Sequence, residues 1–320
     1  MTETPTEEPK MGRPNLVEFA DTLLELGRAD RDVVVVTSDS RGSGKLTRFA
    51  RELPGQVVEV GVAEQNLVGV AAGLASTGKK VFAVSPACFL TTRALEQIKN
   101  DVGYSDNPVT LVGISAGVSY GALGSTHHSL HDVAALRCVH NVDVVVPADN
   151  FETRSAVRAA AAYGRPIYLR FGKKSMPDLH PSGAEFRVGR AIAVREGSEV
   201  AFVATGETVC RARDAARRLS EEGISAGVLS MHTVKPLDTD ALLEAAAATD
   251  ALITVEEHCV HGGLGEACAA VLMGEGVKTR FRIVGLPDEY TVTGSQEEIF
   301  RHYGISPEGL AETARQLLNA

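Results

Sequence analysis

Tryptophan is absent, and aromatic residues of all kinds make up 5% of the 320 residues. Intrinsic fluorescence therefore comes from tyrosine alone. Long apolar runs are missing too; none approaches the ~20 residues that a bilayer-spanning helix needs. Basic charge is in deficit, with 32 Lys and Arg against 41 Asp and Glu and a net charge of -9. The Lys and Arg present form no cluster, which excludes the electrostatic footprint of a nucleic-acid binder. Cysteine is sparse: Cys88, Cys138, Cys210, Cys259 and Cys268 are widely spaced and odd in number. That pattern fits reduced thiols in a cytoplasmic protein and not a disulfide framework. Residues 1–10 are acidic and rich in Pro and Thr, without the basic start or apolar core of a signal peptide. They read as a disordered tail.

What remains is a soluble globular composition, 44% hydrophobic and 23% charged, long enough for two domains. Val- and Ile-rich runs alternate with helical patterns. Strands are expected at Val33–Thr37, Gln56–Val60, Val81–Ser85, Val109–Ile114, Asp143–Pro147 and Ile167–Arg170. Helices are expected at Asn15–Arg28, Glu64–Thr77, Arg93–Tyr104 and Phe151–Tyr163. Gly69, Gly73 and several Ala give the second of these helices a close-packing face. Continuous apolar strands between helices mean a parallel sheet covered on both faces. From Lys173 to about Arg187 the pattern breaks into Lys, Pro, Gly, Asp and His, which marks a linker. Alternation then resumes, with strands at Val200–Thr205, Ala226–Ser230, Ala251–Glu256 and Phe281–Gly285. Helices follow at Arg211–Glu222, Asp238–Ala248, Gly265–Met273 and Pro307–Leu318. The fold class is α/β, in two parallel-sheet domains at about 11–180 and 188–320.

Four segments could carry chemistry. In Glu59-Val60-Gly61-Val62-Ala63-Glu64 a strand ends, a Gly turn follows and a helix starts with a carboxylate. Ligands of open α/β sheets bind beyond the carboxyl ends of strands, although a first-turn Glu also suits the helix dipole. In Ser85-Pro86-Ala87-Cys88-Phe89 through Arg93 and Gln97-Ile98, Phe89 fits a core position and Arg93 a surface ion pair equally well. Gly121 to Asp132 holds His127, His128 and His131 in a Gly/Ser loop. It lacks the further Cys or carboxylate pattern of a zinc site and reads as a substrate or cofactor loop. Glu256-Glu257-His258-Cys259-Val260-His261-Gly262-Gly263 reads as a structural turn.

Together, in this order, the segments resemble the transketolase superfamily of thiamine-diphosphate enzymes. Val60-Gly61-Val62-Ala63-Glu64-Gln65 is similar to the strand-turn-helix that carries the family's glutamate. Cys88-Phe89, Arg93 and Gln97-Ile98 resemble the segment flanking the cofactor's aminopyrimidine ring. Gly121 to His127, Asp132, Leu136-Arg137 and Asp143 to Asp149 match the family's Thr-His block. Tyr168-Leu169-Arg170 looks like its strand ending in a substrate-contacting Arg. Thr254-Val255-Glu256-Glu257-His258 with Gly262-Gly263-Leu264-Gly265 matches its C-terminal domain, which lies away from the chemistry. The first expected domain is thus a thiamine-diphosphate pyrimidine-binding domain, the second a transketolase C-terminal domain. One block is lacking: the Gly-Asp-Gly motif, with an Asn roughly 25–30 residues on, that binds Mg²⁺ and the diphosphate. The resemblance implies the C-terminal subunit of a split enzyme. A diphosphate-binding N-terminal partner brings the Mg²⁺ ligands, and the expected assembly has two copies of each subunit.

The resemblance also implies roles. Glu64 hydrogen-bonds N1′ of the aminopyrimidine, and proton sharing there favours the tautomer that takes the proton from C2 of the thiazolium. Burial keeps such a carboxyl's proton in play. Phe89 lies on the pyrimidine face, Arg93 and Val62 flank the ring, and Asp39 lines the cofactor cleft. His127 hydrogen-bonds the reacting oxygen of a ketose or aldehyde. Arg170 and Arg13 bind a substrate phosphate. Two positions depart from sugar-phosphate members. Leu123 stands four before His127, where an acid holds a substrate hydroxyl, and Ser115 stands twelve before it, where a phosphate-binding His is usual. These departures point away from ordinary pentose and hexose phosphates. Deoxyxylulose-phosphate synthases and the β chains of 2-oxoacid dehydrogenases share the fold and the glutamate. Thr126-His127 and the Glu256-Glu257-His258 strand end favour transketolase.

Overall fold

The computed structural model describes residues 10–181 and 183–320. Apart from Lys10, the expected tail lies outside the described residues. The chain begins with β1 (Met11–Pro14), α1 (Asn15–Ala29), β2 (Val33–Thr37), α2 (Thr47–Glu52), β3 (Val57–Glu59) and α3 (Glu64–Ser76). Next come β4 (Lys80–Pro86), α4 (Ala87–Arg93), α5 (Leu95–Gln97), β5 (Val109–Ile114), α6 (Asp132–Arg137) and β6 (Asp143–Val145). Then follow α7 (Asn150–Ala162), β7 (Ile167–Arg170), β8 (Ser175–Pro177), β9 (Ile192–Arg195), β10 (Val200–Ala204), α8 (Thr208–Glu221) and β11 (Ala226–Ser230). The last are β12 (Thr233–Lys235), α9 (Thr239–Ala248), β13 (Ala251–Cys259), α10 (Leu264–Gly274), β14 (Arg280–Leu286), α11 (Gln296–His302) and α12 (Pro307–Leu318).

The strands with unbroken apolar runs are central and buried throughout, as β2 and β5 show. They sit inside a seven-stranded sheet of order β12-β6-β7-β5-β4-β2-β3, parallel except for β12. A second sheet of order β14-β13-β10-β11-β9 is parallel except for β9. Helices pack on both faces of each, as buried parallel sheets require. Phe19, Leu23, Phe82, Val112 and Val157 fill the face under α1 and α7. On the opposite face Leu67, Ala71, Ala83 and Leu111 join a core that continues through Val203, Leu252 and Leu272. The two sheets therefore share one apolar seam.

Three expectations change. The helix expected over 93–104 is interrupted: α4 ends at Arg93, Ala94 leaves helical geometry, and Ile98–Tyr104 winds as a wider π-helix. The linker is partly ordered, because β8 inside it pairs antiparallel with β1. And β12, from the second half of the chain, closes the first sheet against β6. No helix among the described residues is long and apolar enough to cross a membrane, and all five cysteines are free thiols.

Candidate active site at the carboxyl ends of the first sheet

Three strands of the first sheet, β2, β3 and β5, end in sharp turns. Asp39 after β2 and Ser115 after β5 hold φ of 54° and 55°, a left-handed conformation that non-glycine residues adopt at a cost. After β3 the turn falls to Gly61, φ 74°. Glu59 ties two of these ends together: its Oε1 accepts from the Asp39 amide at 2.7 Å and the Gly61 amide at 3.1 Å. Its other oxygen lies 3.2 Å from Arg41 Nε.

Beside this ledge stands a contiguous group. Glu64 opens α3 and is only 4% exposed. Both its carboxylate oxygens accept from Arg93 Nη1, at 3.0 and 3.1 Å. The break at the end of α4 leaves Arg93 half exposed and poised over the Phe89 ring, 4.2 Å from its centroid. His127 meets Phe89 edge-on at 5.4 Å and Tyr120 at 5.2 Å. Its Nδ1 sits 2.9 Å from Thr126 Oγ1, and Lys173 lies 4.0 Å from the Tyr120 centroid. The structure thus brings Glu64, Phe89, Arg93 and His127 into one chain of contacts. Asp39 and Val62 occupy the same ledge, linked to each other's turns by Glu59. Val62 is 71% exposed, an apolar side chain presented at the rim.

This arrangement suits a planar heteroaromatic ring. It offers a partly exposed aromatic face, an apolar rim and a shielded carboxylate able to accept a hydrogen bond from a ring N–H. Residues 18–178 match the family model for the transketolase pyrimidine-binding domain, and residues 189–310 match that for the transketolase C-terminal domain. The chain belongs to the transketolase family. It is 48% identical over 301 residues to one of the subunits of the apulose-4-phosphate transketolase of Phocaeicola vulgatus, covering 94% of this chain and 96% of that one. It is 35% identical to the 6-deoxy-6-sulfo-D-fructose transketolase subunit SqwH of Clostridium sp. (strain MSTE9), covering 93% and 92%. Among solved structures it is similar to a split-gene transketolase in the form of an inactive beta4 tetramer. The TM-score there is 0.86 at 35% identity, over 96% of this chain and 99% of that one. Transketolases depend on thiamine diphosphate.

Two arginines expected to meet substrate are otherwise engaged. Arg170 is 6% exposed. Its Nε donates to Asp132 at 2.8 Å, and its Nη2 donates to the carbonyls of Ser129 and Glu257 at 3.0 and 2.9 Å. Burial is the largest influence and works against the Asp132 carboxylate, yet the Arg170 charge, joined by nearby His258 and by hydrogen bonds from Arg170 and Tyr168, outweighs it and holds the group below its ordinary value. Arg170 is a buried strut between loop and second sheet, closed to a substrate phosphate. Arg13 belongs to another cluster, paired with Glu18 at 2.6 Å and Asp21 at 2.5 Å. Two carboxylates there compete with any phosphate.

The remaining expectations resolve in turn. Leu123 is 57% exposed on the turn of 3₁₀-helix Gly121–Thr126, and the Ser115 side chain is buried. His128 turns inward, its Nε2 2.9 Å from the Gly121 carbonyl, and burial lowers its pKa. Among the described residues no three metal-ligating side chains converge. Glu256 occupies the entrance of α10, accepting from the amides of Leu264 and Gly265 at 2.7 and 2.8 Å. That fills the position where an anion would dock. His258 is buried and neutral, its pKa lowered to about 4 by desolvation. This segment packs against the far end of the His127 loop: the Cys259 amide donates to the Leu130 carbonyl at 3.0 Å, and the Ala134 amide to His258 Nε2 at 3.3 Å. Tyr120, Lys173 and Glu59 were missed as site residues. An aromatic before the Gly/Ser loop and a Glu at the strand end before Gly61 were the available signals.

Proposed function

We propose that this chain is the pyrimidine-side subunit of a heteromeric transketolase. It moves a two-carbon ketol unit from a ketose to an aldehyde, together with a diphosphate-binding partner subunit, in the cytoplasm. The observation carrying this reading is the shielded Glu64 carboxyl set between Arg93, Phe89 and His127, in a chain whose sequence holds no Gly-Asp-Gly motif. Relatives covered over more than nine-tenths of their length are named as subunits, which supports the division of labour. The beta4 relative described as inactive supports self-association of this half and its silence alone.

Thiamine diphosphate, when bound, supplies the carbon nucleophile and electron sink of the reaction. The chain's residues prepare and police that chemistry. Glu64 holds or shares the proton at N1′ of the aminopyrimidine, in a setting closed to water. Phe89 gives the ring an apolar face, and Val62 extends that face at the rim. Arg93 orients the Glu64 carboxylate through both oxygens. His127, steered by Thr126 and wedged between Phe89 and Tyr120, holds a proton at the reacting oxygen of the substrate. Lys173 adds positive charge beside Tyr120 for an anionic donor. Asp39 lines the ledge, and the ligands for Mg²⁺ belong to the partner.

Leu123 at the crest of the His127 loop replaces a hydroxyl-binding acid with an exposed apolar side chain. The substrate is therefore a ketose of unusual skeleton at that point, of the kind the relatives' names describe, apulose 4-phosphate or 6-deoxy-6-sulfo-D-fructose, before xylulose or fructose phosphates. Mixing this chain with its partner subunit, Mg²⁺ and thiamine diphosphate tests the reading by calorimetry and coupled ketol-transfer assay. Tight cofactor binding by the isolated chain would refute the split-enzyme reading. Leu123→Asp should raise turnover of ordinary pentose phosphates by about tenfold, the worth of one hydrogen bond to a charged group; no gain would remove the specificity argument.

A further inference from the structure

The second sheet's domain does more than cap the molecule. The segment from Ser115 to Arg137 carries His127 at its centre, and the second domain grips it along its length. At the base, Glu257 Oε1 accepts from the buried Val118 amide at 2.9 Å. A Cβ on Gly117 would stand 2.2 Å from the Glu257 carboxyl carbon, so loop and carboxylate meet with no side chain between them. Gln296, at the start of α11, donates to that same Oε1 at 2.8 Å and to Glu207 at 3.0 Å. At the crest, Ser125 Oγ lies 3.0 Å from Thr291 Oγ1, and Gly121 packs against the Gly294 carbonyl. Beyond it, Arg137 donates to the carbonyl of Gly263 at 2.8 Å and to that of Gly262. Each side of the loop is thus held by the segment 256–263 or by the segment 287–296.

We propose that Glu257 is a positioning residue for the His127 loop, fixing the base through the Val118 amide while Thr291 and Gly294 fix the crest. The role of His127 rests on the functional reading above; the positioning itself is read without turnover. Neither group touches substrate. Their effect is to keep His127 at the Phe89 edge when the loop would otherwise fluctuate, as loops with few anchors do.

The test compares Glu257→Ala with Glu257→Gln in the full chain, alone and with its partner subunit. Gln keeps the acceptor oxygen; Ala removes it. In Glu257→Ala, amide hydrogen exchange across Val118–His128 is expected to quicken roughly tenfold, as loss of one buried hydrogen bond predicts. Strands β4 and β5 keep their protection. In the assembled enzyme kcat falls about tenfold with the donor KM little changed, and Glu257→Gln restores both readouts. Unchanged loop exchange in Glu257→Ala would overturn the proposal. So would a Gln variant as impaired as Ala, or exchange rising equally across the whole second domain. Should Glu257→Ala fail to fold, Ser125→Ala takes its place at the exposed crest. There the amides of Gly124–His127 quicken about threefold, and no change would again overturn the proposal.

Discussion

Glu64 combines burial with a single half-exposed ion-pair partner, and that sets what its mutation does. Glu64→Gln keeps volume and loses the ability to hold a negative charge beside a ring nitrogen. Activity of the assembled enzyme is expected to fall by about 10²–10⁴, the usual worth of a positioned acid or base. The thermal midpoint of the isolated chain should barely move, because Arg93 is half exposed and such pairs are worth little. Activity and melting together check this; retained activity would end Glu64's proton role. A second residue-scale expectation concerns Glu207. Burial first, then the neighbouring Glu257 charge, pushes its pKa from 4.5 up to about 8. The native state then holds a proton that the unfolded chain releases, so stability declines as pH rises between these values. His258 opposes this below its ordinary 6.5, because its lowered pKa makes the native state lose stability on acidification. Between pH 6.5 and about 8 the Glu207 carboxyl therefore lowers stability as pH rises, in the same sense as Glu256, raised to about 7 by burial, and as Glu257 and His180, whose pKa values are also raised. Thermal midpoints across that window should fall in the wild type and fall less in Glu207→Gln. Equal slopes would show that the Glu207 carboxyl keeps no raised pKa. At this scale the sequence was legible where neighbours along the chain define the local geometry, as for Glu64 buried at the start of α3 after a strand and a turn. It was misleading for Arg170, whose Asp132 and Glu257 partners stand 38 and 87 residues away.

Elements were legible in proportion to their burial. Val33–Thr37, Val109–Ile114 and Ile167–Arg170 appear at their expected bounds because every residue in them is buried and, Arg170 aside, nearly all are apolar. The short edge strands β8, β9 and β12 left no such trace, since three or four residues mixing Lys, Arg, Ser or Thr read as loop. The break after Arg93 had no local signal either: Ala94, Leu95, Glu96 and Gln97 all favour helix. Tertiary packing overrides propensity there and turns Arg93 toward Glu64. The loop before His127 gives an element-scale prediction. Gly117 has φ 62° and an added Cβ would collide with Glu257. Gly117→Ala should cost about 2–4 kcal/mol through left-handed strain plus overpacking. Gly42→Ala, with open space around it, should stay within about 0.5 kcal/mol. Denaturant melts of the two variants make the comparison; equal stabilities would mean that loop and carboxylate are free to separate.

At the scale of the whole molecule, the exposed side of α3 is the feature that the isolated chain leaves unexplained. Gly69 and Gly73 were expected to give a close-packing face, but a Cβ built on either meets nothing within 4 Å. Whatever they pack against is not this chain. Helix-interior glycine costs about 0.5–1 kcal/mol relative to alanine, and within the chain nothing offsets it. Val62 and Glu64 sit just before and at the start of the same helix, so a second chain approaching this face would also close the cofactor side of the cleft. The two settings then predict opposite effects from one pair of substitutions. Gly69→Ala with Gly73→Ala should stabilise the isolated chain by about 1–2 kcal/mol. The bulkier Gly69→Leu with Gly73→Leu should leave that chain folded while weakening assembly by about tenfold or more, through overpacking of a tight contact. Melting of the isolated chain and sedimentation of the mixture with the partner subunit separate the effects. If the Leu pair assembled as well as the parent, the α3 face would have to be assigned to solvent, and the partner's approach sought on another side of the ledge.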